Sequence, residues 1–421
     1  MINPTMAMIP SGYGQDKIYS ILPTNGDGDL TFNRSGKAYR TDESGLVSEV
    51  AADYPRLDWT DSNCPAIMIE RSGVNEIYKS EDFSHSSWAA YGSASVTANI
   101  TEGPDGTLSA AKLQSDGTTD YPRISSGANL SGTTACSMYI KEHVGDNAYF
   151  YFEGTFDADG LTENRWGIRF NFGNKAIEQY LDGEGIEVDI LDSDVEELDN
   201  GWFRVSVLVP SITLIRFQIM PAYSNTTPQS VFIWGAMAEE ATDLSSYIRN
   251  ISPTVSASRA VESIDDLTIP INSKEGVLYV EMAAMSNNGT RRDISLNGGS
   301  SASMISVGLG STDNTIVAKV NATGDDLFDV EIPITDATRY SKIALAYYIS
   351  DEITTRSFFK LFIDGVVVAD EEYSPEVTGG TLTQLSFDTS SVSPVPFYGK
   401  VKDLRIYDEL PTDSELQTLT S

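Results

Sequence analysis

Short stretches in which hydrophobic and polar residues alternate dominate this sequence. Side chains on a β-strand point alternately to its two faces, so such stretches indicate strands with one face in a core. Turn residues separate them, and no long stretch shows the 3.6-residue period of a helix. The clearest predicted strands are Ala148–Glu153, Arg165–Phe172, Phe203–Val209, Ile215–Met220, Val277–Met282, Lys342–Ile349 and Phe358–Ile363. Many short, evenly spaced strands predict an all-β protein made of β-sandwich (jelly-roll) domains.

Two local signals lie near the C-terminus. Asp364-Gly365 separates two apolar runs. Because both central residues of a type I′ turn need a positive φ, this dipeptide predicts a tight hairpin. Thr412 and Glu415 have the spacing of a capping box, which predicts that a short helix of about two turns closes the chain.

The distribution of apolar residues predicts a small N-terminal region followed by two sandwich domains. Residues 1–75 are rich in turns and poor in apolar residues, so we interpret them as an attachment or assembly region that needs a partner. Residues 76–250 and 267–421 carry the two predicted sandwiches. Residues 251–266 contain several serines and few large apolar side chains, and they are expected to form a linker between separable domains.

The composition argues against several classes of partner. The 421 residues include 61 acidic and 28 basic side chains, a net charge of −33. Nucleic acids and anionic lipids need a cationic face, so neither is expected as a partner. No run of 18 apolar residues predicts a membrane span, and the first 14 residues lack the pattern of a secretory signal. The two cysteines, Cys64 and Cys136, are predicted to be buried free thiols.

Residues for catalysis are sparse. A sandwich glycosidase needs paired carboxylates on one strand, and the nearest string, Glu187-Val188-Asp189-Ile190-Leu191-Asp192, lacks the final Glu of such a motif. The only histidines, His85 and His143, lie in a turn and at a strand end, and no nucleophile elbow accompanies them. The sequence therefore predicts a protein that is not an enzyme.

One acidic loop resembles the start of a calcium site. Asp157 and Asp159 precede Gly160 with the spacing of calcium-binding oxygens, but Ile168 occupies the position where a bidentate Glu is required. We keep Asp157 and Asp159 as candidate metal ligands beside the alternative of a solvated acidic loop. Ca²⁺ at such a loop is the only cofactor that the sequence suggests.

Alternation also separates the predicted core from a polar face on four strands. Phe150, Phe152, Phe203 and Val205 are expected in the core, so their neighbours point outward. Aromatic planes stack on sugar rings, and Arg or Gln side chains hydrogen-bond to sugar hydroxyls. Packing against another domain or subunit is the alternative use of such a face. The candidate glycan-binding residues are Tyr149, Tyr151, Arg165, Arg169, Trp202, Arg204, Arg216 and Gln218.

Three stretches carry recognisable motifs. The first contains Asp29-Leu30-Thr31-Phe32-Asn33-Arg34 and continues into Tyr78-Lys79-Ser80-Glu81-Asp82-Phe83. The second contains Gly201-Trp202-Phe203-Arg204 and Phe232-Ile233-Trp234-Gly235, and the third begins at Gly276-Val277-Leu278-Tyr279. In this order they resemble parts of bacteriophage fibre and spike proteins. Those parts are an N-terminal region, a jelly roll like a carbohydrate-binding module, and a concanavalin A-like (laminin-G-like) lectin domain.

The resemblance implies a subunit of a virion fibre or spike, on the tail or the head, that presents glycan-binding folds to the host surface. Its implied partners are other virion proteins at residues 1–75, a host surface glycan and further copies of the chain, with a trimer favoured. It would be made in the host cytoplasm and act outside the cell. A structural head-fibre or capsid-decoration protein without a glycan ligand, and a polysaccharide depolymerase, are the alternatives, because a fold does not settle function.

Overall fold

The structure, a computed structural model, describes residues 3–59, 64–143, 149–155, 165–179, 189–223, 227–350, 355–373, 380–389 and 395–421. It confirms the all-β prediction. The first strands are β1 (Met6–Gly14), β2 (Lys17–Leu22), β3 (Leu30–Asn33), β4 (Ala38–Thr41), β5 (Val47–Val50), β6 (Arg56–Asp58), β7 (Ala66–Ile69), β8 (Gly73–Asn75), β9 (Trp88–Tyr91), β10 (Ser95–Glu102), β11 (Leu108–Ser115), β12 (Arg123–Glu142), β13 (Tyr149–Thr155), β14 (Arg165–Asn171), β15 (Ala176–Gln179) and β16 (Asp192–Glu197).

The later strands are β17 (Phe203–Met220), β18 (Gln229–Glu240), β19 (Ala257–Arg259), β20 (Ser263–Ile264), β21 (Leu267–Thr268), β22 (Glu275–Ala283), β23 (Arg292–Asn297), β24 (Met304–Leu309), β25 (Thr315–Ala322), β26 (Asp325–Pro333), β27 (Ser341–Tyr348), β28 (Ser357–Ile363), β29 (Val366–Tyr373), β30 (Gln384–Ser386) and β31 (Gly399–Tyr407). One short helix, α1 (Asp413–Leu419), follows them. No helix in the described ranges is long and apolar enough to cross a membrane.

The chain forms two compact units. The C-terminal unit comprises Met1–Gly36, Ala51–Arg71 and Val261–Ser421, and the central unit comprises Lys37–Val50 and Ser72–Ala260. This division differs from the boundaries expected at residues 75, 250 and 266. The hydrophobic pattern marked where strands lie, but it did not show which strands pair over long distances.

The C-terminal unit is a two-layer sandwich. Its larger sheet has the order β20-β3-β2-β1-β31-β22-β27-β28-β29, with β7 also paired to β31 and β6 paired to β7. Its smaller sheet has the order β21-β30-β23-β24-β25-β26. Leu278 and Leu345 from the larger sheet and Ile305 and Ala318 from the smaller one belong to the same buried cluster. One core therefore joins the two sheets.

Both local predictions for the C-terminus are confirmed. Asp364 and Gly365 have φ values of 48° and 81° and connect β28 to β29 in a two-residue turn. Thr412 and Glu415 form the capping box of α1. Leu416 of this helix is buried with Tyr279 in a cluster separate from the main core, so the helix covers apolar side chains on the other face of the larger sheet.

The N-terminal segment is divided between the two units instead of forming a region of its own. Strands β1, β2, β3, β6 and β7 belong to the larger sheet of the C-terminal unit, and the β4–β5 hairpin belongs to the central unit. This pairing explains the low apolar content of the segment. Each of its strands contributes only a few side chains to a core that the other strands of the unit mainly build.

The predicted linker is also structured. Within residues 251–266, β19 pairs with β8 and β20 pairs with β3. Glu262, between these two strands, is buried. Small polar residues are common in linkers, but here they lie in short strands that complete a sheet in each unit.

A buried group of charges lies beside Glu262 in the C-terminal unit. Arg34 Nη1 and Arg56 Nε both donate to Glu262 Oε1 at 2.7 Å, and Arg56 Nη2 donates to Glu70 Oε2 at 2.5 Å. All four side chains are at least 96% buried. Burial alone would lower the pKa of Arg56, but the charges of Glu262 and Glu70 outweigh it and raise that pKa. The two arginines and two carboxylates thus balance each other inside the unit.

The central unit is a sandwich whose two layers share its longest strands, β12 and β17. One half of this pair continues through β9 on one side and β13, β14 and β15 on the other. The other half continues through β16 and through β18, β11 and β10. Phe203 lies in the first half of β17, whereas Phe170 lies in β14, which belongs to the layer built on the second half. Their rings are nevertheless only 5.2 Å apart. The two layers therefore face each other across one core. The separately predicted strands 203–209 and 215–220 are parts of β17.

The motif around Ser80 in the central unit has a structural role. The side-chain amide of Asn75 donates to the carbonyl groups of Ala236 and Ile248 and accepts from Ile77 N. The hydroxyls of Ser80 and Tyr247 lie 2.7 Å apart. This segment therefore ties the start of the sandwich to its end.

The two cysteines are free, as predicted, but only one of them is buried. Cys136 lies in the core of the central unit, and burial raises the pKa of its thiol. Cys64 is exposed, which corrects the expectation that both thiols are buried. The sequence around Cys64 offered no periodic signal for its burial.

Candidate functional site

Several predicted site residues come together on the outer face of one layer of the central unit. In β13, Phe150 and Phe152 are buried in the core, so Tyr149 and Tyr151 point to the other side. Arg169 of β14 lies directly opposite Tyr151. In the second half of β17, Gln218 lies on the same side, because its neighbours Phe217 and Ile219 are core residues. Strand pairing thus collects them on one surface, which we call the tyrosine face.

A row of tyrosine rings crosses this surface. The ring centroids of Tyr149 and Tyr151 lie 6.4 Å apart, those of Tyr151 and Tyr223 lie 5.7 Å apart, and those of Tyr223 and Tyr121 lie 4.6 Å apart. Tyr121 is 40% exposed, and the other three keep part of their surface in solvent. Burial raises the pKa of the Tyr151 hydroxyl, so this hydroxyl is a hydrogen-bond donor at neutral pH.

Arg169 is held in place above this row. Its guanidinium carbon lies 4.5 Å from the centre of the Tyr149 ring, and its Nε donates to Glu178 Oε2 at 2.6 Å. The hydrogen bond from Arg169 lowers the pKa of Glu178. Asn171 also donates to Glu178, at 3.4 Å. The ion pair between Arg169 and Glu178 fixes the orientation of the guanidinium group. Less side-chain entropy is therefore lost when a ligand binds to it.

The floor of the tyrosine face is polar and almost completely buried. Glu153, Gln218 and Ser125 lie in register on three adjacent strands and are 4%, 6% and 5% exposed. Within the described part of the chain, the Gln218 amide and the Ser125 hydroxyl form no side-chain hydrogen bond to another described residue, although their polar atoms are not among those fully shut off from solvent. Buried polar groups are normally paired. These two groups therefore offer unused donors and acceptors to a molecule that covers the face.

Two further arginines lie along the same face. Arg123 of β12 places its guanidinium carbon 4.8 Å from the ring centre of Tyr91. Arg216 of β17 is exposed and lies opposite Gly127 of β12. A methyl group at Gly127 would meet no atom within 4 Å, so no described residue covers the surface beside Arg216. The backbone register places Arg165 in the same row as Arg216, but the Arg165 side chain lies outside the described part of the structure.

Trp202 and Arg204 are not part of this surface, which corrects their assignment. Trp202 immediately precedes β17 and Arg204 lies in its first half, on the outer side of the opposite layer. Trp202 is 0% exposed and packs in a cluster with Tyr39 and Trp234. Arg204 is buried and donates to Ser137 Oγ at 2.9 Å. Alternation correctly predicted the side of the strand, but the β4–β5 hairpin covers that side and the long strand passes from one layer to the other.

Six residues of the tyrosine face were missed by the sequence analysis, and Glu153, which alternates with the core residue Phe152, is one of them. Arg123 and Ser125 flank the core residue Ile124, so the alternation already used for β13 would have found them. Tyr91, Tyr121 and Tyr223 lie at strand ends or in turns. Their position on the face depends on how the strands pair, and no local pattern indicates it.

The metal and catalytic candidates are only partly within the described residues. Asp157, Asp159 and Glu187 lie outside the described residues. Within the described ranges, no three His, Cys, Asp or Glu side chains group as a metal site. His85 Nδ1 lies 2.9 Å from Ser87 Oγ in a turn, and the ring of His143 packs against Phe232.

No family model and no curated protein matches this chain. Similar solved structures are β-sandwich proteins. The CBM40 of Ruminococcus gnavus IT-sialidase bound to α2,3-sialyllactose has 15% identity, covers 35% of this chain and 83% of its own, and has a TM-score of 0.29. Domain 4 of AbnA, an arabinanase from Geobacillus stearothermophilus, has 15% identity over 40% and 79%, with a TM-score of 0.29. Domains LG4-5 of the mouse laminin α1 chain have 8% identity over 82% and 93%, with a TM-score of 0.24. With TM-scores this low, these similarities say nothing about what the chain binds.

Proposed function

We propose that the central unit binds a glycan on the tyrosine face. The observation that carries this proposal is the polar floor, where Gln218 and Ser125 are only 6% and 5% exposed and form no side-chain hydrogen bond to a described residue. A packed protein neighbour of ordinary composition would have to satisfy both groups. A sugar does so readily, because every hydroxyl both donates and accepts.

The surroundings of the floor suit the apolar part of a sugar. The partly exposed rings of Tyr149 and Tyr151 offer aromatic planes to the C–H faces of pyranose rings, beside the polar groups of Gln218 and Ser125. Arg169 is already oriented by Glu178. Binding in this arrangement would need little reordering of the protein, which favours affinity.

At the level of the whole chain, we propose a virion fibre or spike subunit that presents this unit to the host surface. The support is the ordered resemblance of its three sequence stretches to bacteriophage fibre proteins. Contacts with other virion proteins and with further copies of the chain are part of this proposal. Glycan binding separates it from the alternative of a structural head fibre or decoration protein without a glycan ligand.

Tyr151→Ala should weaken glycan binding by about 1–3 kcal/mol if sugar stacking resembles base stacking on aromatic rings. Isothermal titration with the tightest ligand from a glycan array measures this change. Tyr373→Ala removes an exposed tyrosine from the C-terminal unit and is the matched control. An unchanged affinity in Tyr151→Ala, or an equal loss in the control, would remove the tyrosine face from the binding site.

We also propose that the glycan is bound without being cleaved. Hydrolysis requires a pair of carboxylates on either side of the scissile bond, whereas the Glu178 carboxylate beside the tyrosines is hydrogen-bonded to Arg169, which lowers its pKa below that of a general acid. Incubation of the full chain with host-surface polysaccharide should leave its length distribution unchanged in size-exclusion chromatography. Shortening that disappears in Glu153→Gln would contradict this expectation.

A further inference from the structure

Two arginines of the tyrosine face have no carboxylate within ion-pair distance in the described part of the chain. They are Arg123 and Arg216. Exposed arginines elsewhere do have one, for example Arg356, which lies 2.8 Å from Glu372. The chain has 61 acidic and only 28 basic residues, so an uncompensated arginine is unusual here. Cations that the protein does not neutralise are available to an anionic ligand.

Their positions bracket the polar floor. Ser125 pairs with Gln218, and Arg216 lies opposite Gly127, two residues farther along β12. Arg123 lies two residues from Ser125 in the other direction. The distance along β12 from Arg123 to Gly127 is about 13 Å at the usual rise of a strand. The two guanidinium groups therefore lie on either side of the place where a sugar would cover Gln218.

Each arginine also has free hydrogen-bonding capacity. The Arg123 Nε atom is buried and has no acceptor in the described structure, while its Nη1 donates to the carbonyl of Tyr121 at 3.3 Å. Arg216 is exposed beside the open surface at Gly127. A guanidinium group binds carboxylate and sulfate through two parallel hydrogen bonds, which a neutral hydroxyl cannot match.

We propose that the ligand of the tyrosine face is an acidic glycan whose carboxylate or sulfate groups are bound by Arg123 and Arg216. This inference rests on the proposed glycan binding and adds the chemical class of the ligand. It also gives a role to arginines that have no carboxylate partner among the described residues, since they offset the repulsion between the net charge of the protein and an anionic polymer.

Pairs of glycans that differ only in charge test the proposal with the full-length chain. Oligogalacturonate is compared with its carboxyl-reduced form, and dextran sulfate with dextran, which separates the two sources of negative charge. The acidic member of at least one pair should bind at least about tenfold more tightly, as expected for a hydrogen bond to a charged group. Arg216→Gln should remove most of this difference between the acidic and the neutral member.

Arg356→Gln, an exposed arginine of the C-terminal unit, is the matched control and should leave every affinity unchanged. Equal binding of the acidic and neutral members, or an acidic preference that persists in the double variant Arg123→Gln/Arg216→Gln, overturns the acidic ligand and leaves the proposed glycan binding intact. If neither member of either pair binds and a glycan array is also blank, the proposed function fails together with this inference.

Discussion

Glu262→Gln should destabilise the C-terminal unit by about 3–5 kcal/mol, the usual cost of removing one member of a buried charge network. Glutamine keeps the volume of the side chain, so the loss would come from charge and not from a cavity. Arg34 and Arg56 would remain buried with only Glu70 to balance them. A loss of this size is a large part of the total stability of a domain.

Urea unfolding followed by hydrogen exchange of peptides from β22 and β13 measures the effect in each unit separately. The peptide from β22 should lose protection at lower urea, and the peptide from β13 should not. Glu372→Gln removes an exposed ion pair with Arg356 and should cost less than about 1 kcal/mol. A similar small loss in Glu262→Gln would mean that water reaches the two arginines once the carboxylate is removed.

The same charge network bears on the expected separation of domains. A fragment of residues 267–421 would lack Glu262 and all of its charged partners. It would also lack β1, β2, β3, β6 and β7, which belong to its larger sheet. The core residues Met6, Ile18 and Ile67 lie in those strands. The folding unit is therefore the discontinuous C-terminal unit, and the boundary expected from composition would cut through it.

Trp202→Ala should destabilise the central unit by about 3–5 kcal/mol, as for other large aromatic side chains removed from a core. The indole is 0% exposed, and its Nε1 donates to the carbonyl of Glu102 at 3.2 Å. Truncation would leave a cavity next to Tyr39 and Trp234 and an unpaired carbonyl group.

Urea unfolding monitored by far-ultraviolet circular dichroism measures this loss, and glycan titration of the folded variant accompanies it. Tyr121→Ala, at 40% exposure, is the matched control and should cost less than about 1 kcal/mol. We expect Trp202→Ala to keep its glycan affinity while it remains folded. Full stability combined with lost affinity would return Trp202 to the binding surface.

Local patterns were sufficient for the elements themselves. The Asp364-Gly365 turn and the Thr412 capping box depend on residues at most three positions apart, and both are confirmed. The alternation of Phe150 and Phe152 with Tyr149 and Tyr151 correctly divided β13 into a core side and an outer side. Hydrophobic periodicity reports such features because they depend on backbone geometry within a few residues.

The sequence by itself therefore determined the all-β class, the turns, the terminal helix and the side of each strand on which a residue lies. Only the tertiary structure decided which outer sides stay exposed. The side chains of Tyr151 and Trp202 both point away from the side that carries the core residues. Tyr151 keeps part of its surface in solvent, whereas Trp202 is covered by residues from the β4–β5 hairpin. The pairing of Glu262 with Arg34 spans 228 residues. Contacts over such separations are set by the packing of whole sheets, and no short stretch of sequence encodes them.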